Sequence, residues 1–168
     1  WEEVETVTPV TVTVDYNHDG LPTDERTCVV GKGYGYIYDN GEAVSSPLPD
    51  PTRFGYEFAG WYDAPEGGNE ISADTALTGS ITIYAHWEKG VIVRFDGNGY
   101  TGTIDAISAK PENIYGKLPI PDPSGYPENQ TFDGWCTDAG LTDKVTPATD
   151  LSGAEEITLY AKWRACRY

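Results

Sequence analysis

Short runs in which β-branched or aromatic residues alternate with polar ones recur along the chain, and none of them extends into a helical period. Thr11 to Asp15 and Val91 to Phe95 read as strands, as do Ile81 to Trp87 and Ile157 to Trp163, where Thr and Tyr interleave with Ile and Leu. In Tyr56-Glu57-Phe58-Ala59-Gly60-Trp61-Tyr62 a strand would set Tyr56 and Phe58 on one face. Turn chemistry follows the first strand of each half: Asn17-His18-Asp19-Gly20 and Gly97-Asn98-Gly99 supply residues that tolerate positive φ. Two proline clusters, Pro47-Leu48-Pro49-Asp50-Pro51 and Pro119-Ile120-Pro121-Asp122-Pro123, lack amide donors and predict edge or crossover segments. The pattern predicts a mainly β chain of strands and turns.

The two halves match each other. Phe58-Ala59-Gly60-Trp61 aligns with Phe132-Asp133-Gly134-Trp135, and Ile81-Thr82-Ile83-Tyr84-Ala85-His86-Trp87 with Ile157-Thr158-Leu159-Tyr160-Ala161-Lys162-Trp163. Leu48-Pro49-Asp50-Pro51 aligns with Ile120-Pro121-Asp122-Pro123, and Val12-Thr13-Val14-Asp15 with Val93-Arg94-Phe95-Asp96. The offset drifts between 72 and 81, as expected when strands are framework and loops vary in length. Two small domains result, 8–88 and 91–163, with 89–90 as connector and 164–168 as a tail. Because the second copy follows the closing Trp87 through Glu88-Lys89-Gly90, Trp1-Glu2-Glu3 looks like the same ending. Residues 1–7 are therefore expected to be the end of a preceding repeat or a linker, the alternative being a chance Trp at that position.

Charge and composition narrow the function. The 168 residues carry 27 acidic and 11 basic side chains, a net charge of −16, which excludes a nucleic-acid binder that works by neutralising phosphates. No stretch approaches the roughly 18 apolar residues of a membrane-crossing helix. Aliphatic residues are few for a globular chain, but 12 Tyr and 5 Trp recur at fixed places and can build the core instead. The expected core is Phe58, Trp61, Tyr84 and Trp87 in the first copy and Phe132, Trp135, Tyr160 and Trp163 in the second.

These landmarks resemble the Listeria-Bacteroides repeat, the internalin-type B-repeat. The resemblance is carried by Val93-Arg94-Phe95-Asp96-Gly97-Asn98-Gly99, Tyr115-Gly116-Lys117-Leu118, Gly125-Tyr126, Phe132-Asp133-Gly134-Trp135 and Leu159-Tyr160-Ala161-Lys162-Trp163. In the first copy it is carried by Val14-Asp15, Pro51 to Tyr56, Gly60-Trp61-Tyr62, Ala73-Asp74-Thr75 and Tyr84-Ala85-His86-Trp87. It implies a mainly β or α+β fold, two tandem small β-grasp-like (ubiquitin-like) domains with a mixed sheet, in a secreted or wall-anchored bacterial protein. It further implies a non-catalytic role, as a spacer or as an interaction module for host or neighbouring surfaces. Three departures stand out: an insertion through Cys28 to Tyr38, Cys136 where the first copy has Tyr62, and Pro127-Glu128-Asn129-Gln130 before the central strand of the second copy.

Candidate chemistry is sparse. Asp15, Asn17 and Asp19 place oxygen ligands at alternate positions before Gly20, as the opening half of a calcium loop does, but its twelfth position is Arg26 rather than a bidentate Glu. An ordinary hairpin turn accounts for the same residues; calcium is the one candidate cofactor, favoured slightly by 16 acidic against 3 basic residues in 1–88. Tyr34, Tyr36 and Tyr38 alternate in the insertion, and one strand face would display all three to a host protein or glycan; pairing with a neighbouring strand is the alternative. Cys136 and Cys166 share a repeat and are a candidate disulfide, leaving Cys28 free or buried. Neither His18 nor His86 lies in a nucleophile motif, and Lys162 replaces His86 in the second copy, which suggests an exposed strand position. The leading expectation is a non-catalytic extracellular stalk or presenting module whose nearest partners are adjacent repeats of the same polypeptide. The alternatives are an adhesive ligand-binding module and an accessory segment of a large secreted enzyme.

Overall fold

A computed structural model describes residues 6–167, which fall into two compact units: 6–52 with 58–87, and 53–57 with 88–167. Residues 1–5, and with them the reading of Trp1-Glu2-Glu3, lie outside the described residues, as does Tyr168.

The first unit is built from β1 (Pro9–Asp15), β2 (Asp24–Val29), β3 (Tyr36–Asp39), β4 (Glu42–Ser45), β6 (Glu70–Ile71) and most of β5 (Tyr56–Tyr62) and β7 (Ile81–Lys89), whose residues 56–57 and 88–89 fall in the second. Five of these form a mixed sheet in the order β2-β1-β7-β5-β6, and β3 and β4 form a separate two-stranded ribbon. β1 runs antiparallel to β2 and parallel to β7, with Val12 opposite Ile81 and Val14 opposite Ile83. The second unit contains β8 (Val91–Asp96), β9 (Ile107–Ala109), α1 (Pro111–Lys117), β10 (Gln130–Cys136) and β11 (Glu156–Ala165). Its sheet order is β10-β11-β8-β9, with β8 and β11 again the parallel pair. Both proline clusters lie outside strands, in the crossovers that precede β5 and β10.

Helix α1 is the helical element of a mainly β chain, and no sustained helical period marks it in the sequence. It opens on Pro111 with Glu112 in its first turn, ends with Lys117, and buries Ile114. Two turns with one buried side chain are too short for a 3.6-residue period to show in sequence. At the same place in chain order, between the second strand and the proline crossover, the first unit carries the β3–β4 ribbon.

Each core sits against one face of its sheet. Val12 and Val93, Ile83 and Leu159, Ala85 and Ala161, and Trp61 and Trp135 are buried as matching pairs. Phe58 and Trp87, and likewise Phe132 and Trp163, pack against these clusters while partly exposed. The expectation for Tyr84 and Tyr160 is corrected. Both lie between buried neighbours, Ile83 and Ala85 or Leu159 and Ala161, so strand alternation sets them on the opposite face, outside the core.

The Gly-Trp landmark has a steric origin. Phe132 and Trp135 both face the core although three residues apart, because the β10–β11 register skips between Phe132 and Gly134. Gly134 takes φ +134°, and a Cβ there would stand 2.5 Å from Lys144 Cε. Gly60 matches it with φ +122°.

Candidate functional site

What the two units hold in common is a set of backbone anchors made by side chains. The indole N–H of Trp61 donates to Pro49 O at 3.1 Å, and that of Trp135 to Pro119 O at 2.8 Å. Each central tryptophan thereby ties a proline crossover to the sheet. The closing tryptophans tie down the first turn: Trp87 Nε1 donates to Tyr16 O at 2.8 Å and Trp163 Nε1 to Gly97 O at 3.0 Å. Phe58 stands edge-on between Trp61 (5.4 Å) and Trp87 (5.6 Å), and Phe132 repeats the arrangement between Trp135 (5.3 Å) and Trp163 (5.5 Å). Such edge-to-face pairs add about 0.5–1.5 kcal/mol each beyond area burial.

A second device shared by the two units is an Asp-x-Asn turn, which alternation along the chain does not reveal. Asp15 Oδ1 accepts the Asn17 backbone N–H at 2.8 Å, and Asp96 Oδ1 accepts that of Asn98 at 2.9 Å. Both asparagines are left-handed, with φ +53° and +46°. Their carboxamide nitrogens then reach the middle of the closing strand: Asn17 Nδ2 donates to Ala85 O at 3.0 Å and also to Pro65 O, and Asn98 Nδ2 to Ala161 O at 3.1 Å. The signal was present as Asp-x-Asn directly after the first strand of each copy.

That arrangement bears on the calcium candidates. Asp15 and Asn17 spend side-chain atoms on the turn itself, and Asp19 Oδ2 lies 2.9 Å from His18 Nδ1. Among the described residues, no three or more His, Cys, Asp or Glu side chains group as a metal site would need.

The three tyrosines of the insertion do not form one displayed row. Residues 31–35 dock on 73–77: Gly31 N donates to Leu77 O, Gly35 N to Ala73 O and Leu77 N to Lys32 O. A Cβ on Gly33 would fall 2.1 Å from Ala73 O, so only glycine permits this approach. Tyr34 is driven inward beside Leu77 and is 4% exposed, and burial raises its phenol pKa. Only Tyr36 and Tyr38 lie on β3, where Tyr36 is exposed and Tyr38 half-buried.

The proposed disulfide is corrected as well. Cys136 is buried opposite Tyr160, whereas Cys166 is exposed, six positions beyond Tyr160. At about 3.3 Å per residue the two are about 20 Å apart, against a limit of about 7 Å between Cα atoms for a bridge. All three cysteines are free, and burial raises the thiol pKa of both Cys28 and Cys136.

On the outer sheet face, His86 stacks on Tyr62 at 3.8 Å and its Nε2 is 2.8 Å from Ala64 O. A carbonyl partner requires that Nε2 carry the proton. In the second unit Lys162 Nζ donates to Leu141 O at 3.1 Å, so the two residues do the same work on the loop that follows the central tryptophan. Both are half-buried rather than exposed. The same loops are closed by a carboxylate. Asp63 accepts from Asn69 Nδ2 and N, and Asp138 from Asp143 N and from Thr142 N and Oγ1; these bonds hold both pKa values below normal.

Comparison with known proteins gives a consistent picture. The model of the Listeria-Bacteroides repeat domain matches residues 12–86 and again 92–162. Internalin H of Listeria monocytogenes serovar 1/2a is 34% identical over 143 residues, which cover 80% of this chain and 24% of that protein. A protein of Evansella cellulosilytica, under the provisional name Gly-rich membrane protein, is 30% identical over 126 residues, or 73% of this chain and 14% of its own length. The chain thus spans less than a quarter of either relative. No solved structure matches it.

Proposed function

Because the chain belongs to the Listeria-Bacteroides repeat family and carries two consecutive copies of its domain, we propose that it is a non-catalytic spacer or presenting module in an extracellular bacterial protein. The observation that supports this most is the duplication of the anchors. Two tryptophans, a Phe between them and an Asp-x-Asn turn recur in both units, while the segment between the second strand and the proline crossover is a ribbon in one and a helix in the other. The repeated side chains are those that fasten backbone to backbone, as a load-transmitting or distance-holding part needs. A net charge of −16 lets many such units stand side by side with little self-association. The natural neighbours of these units are further repeats or domains of the same polypeptide.

Replacing residues 8–163 in the parent polypeptide by an unrelated folded tandem pair of similar length tests this reading. Retention of surface presentation and activity by the flanking domains is expected; their loss with the foreign spacer would contradict it.

A second reading, a ligand-binding module for a host protein or glycan, draws on one observation. The β3–β4 ribbon occurs in the first unit alone and exposes Tyr36 (38%) and Val44 (41%). Tyr36→Ala with Val44→Ser should then abolish adhesion while leaving the melting temperature unchanged; unchanged adhesion would remove this reading.

A further inference from the structure

Two Asn-Gly pairs occur in the chain, Asn40-Gly41 and Asn98-Gly99, and the fold treats them differently. Both asparagines are exposed and left-handed, with φ +48° and +46°. Asn98 is held twice: its backbone N–H by Asp96 Oδ1 and its carboxamide by Ala161 O. Asn40 occupies the two-residue loop that joins β3 to β4, and its carboxamide makes no hydrogen bond to any described residue. Gly41 is equally open, since a Cβ built on it would meet nothing within 4 Å.

We propose that Asn40-Gly41 is a self-modification site, at which the chain converts its own amide to an acid and so ages the β3–β4 ribbon, while Asn98-Gly99 is protected by its clasp. The reaction needs water alone. The Gly41 backbone nitrogen loses its proton to solvent base and attacks Asn40 Cγ, forming a C–N bond. The Cγ–Nδ2 bond then breaks, the nitrogen leaves as ammonia after taking up a proton, and a five-membered succinimide remains. Water opens that ring at either carbonyl, giving aspartate or isoaspartate. The sum is amide plus water to acid plus ammonia, with no oxidation or reduction.

At Asn98 the same attack requires Cγ to swing away from Ala161 O, so the clasp must open first. A net hydrogen bond of about 1.4 kcal/mol suppresses the reactive population about tenfold. At Asn40 no such bond opposes the swing.

The consequence falls on the ribbon. Its register rests on the loop, with Asp39 opposite Glu42 and Tyr38 opposite Ala43. Isoaspartate inserts one extra backbone carbon into a two-residue turn, and either product adds a carboxylate beside two that already face each other. The ribbon that carries Tyr36 and Tyr38 is thereby loosened.

The intact chain is incubated at mildly alkaline pH, natively folded and in parallel in concentrated urea, and its tryptic peptides 33–53 and 95–117 are followed by mass spectrometry with fragment assignment. In the folded chain Asn40 is expected to convert at least about tenfold faster than Asn98; in urea the two should converge. Equal rates in the folded chain, faster conversion of Asn98, no conversion at Asn40, or a rate ratio unchanged by urea would each overturn the proposal.

Discussion

Replacing Trp135 by Phe separates what the anchor contributes from what a ring in that position contributes. The side chain is 3% exposed, and its indole N–H donates to Pro119 O at 2.8 Å. Phenylalanine keeps the six-membered ring against Phe132 and Phe95 but loses the donor and the pyrrole portion. The lost bond costs about 1–2 kcal/mol, toward the lower end because Pro119 is half-exposed and water can reach it. The unfilled volume costs about 1–2 kcal/mol more, giving about 2–4 kcal/mol in all. A unit of this size has about 4–11 kcal/mol to lose, so its melting temperature should fall by about 10–25 °C. Far-UV circular dichroism in a urea titration measures this without relying on the removed fluorophore. A loss below about 0.5 kcal/mol would refute the anchor argument, since neither a bond nor a filled volume would then have been removed.

Other perturbations probe the remaining devices. Asn98→Ala should cost about 1–2 kcal/mol, for the clasp to Ala161 O and for a left-handed residue without a local hydrogen bond; a neutral result in urea denaturation would contradict the clasp. Native thiol titration should modify Cys166 alone, with Cys28 and Cys136 reacting only after unfolding, and non-reducing mass analysis should show no internal bridge. Asp138 is held below the ordinary 3.8, first by the Asp143 backbone N–H. Its carboxylate therefore favours the fold at every pH above that value, and the contribution disappears as the pH falls through the lower, folded value. Asp138→Ala should flatten the acid limb of a stability–pH profile, and an unchanged limb would count against it. Calcium at millimolar concentration should leave the melting temperature where EDTA leaves it, because Asp15 and Asn17 are committed to the turn. A rise that vanished in Asp19→Ala would restore the metal reading.

How far the sequence could be read depended on whether a residue's role was local. The strands and their turns follow from alternation and turn chemistry, and the placing of Trp61 and Trp135 in the core from the doubled aromatic landmarks. The faces of Tyr84 and Tyr160 do not, because a run such as Ile-Thr-Ile-Tyr-Ala offers two faces, and here the small Ala85 and Ala161, not the large tyrosines, are the buried members of the core. The inward position of Tyr34 has a non-local cause: Gly33 presses against Ala73, some forty residues away. The bulge at Gly134 turns a three-residue spacing into a shared face, which strict alternation cannot express. Asp-x-Asn was visible, but as potential ligands; only the position of Ala85 and Ala161 shows what the carboxamides hold.

Hydrogen exchange at the indole nitrogens tests most directly whether both units are fastened by the same anchors. Proton NMR of the chain in heavy water should show the indole protons of Trp61, Trp87, Trp135 and Trp163 exchanging only as fast as each unit unfolds, because each donates to a backbone carbonyl. Exchange of any of the four at the rate of a free indole, in a chain that is otherwise folded, would contradict the account.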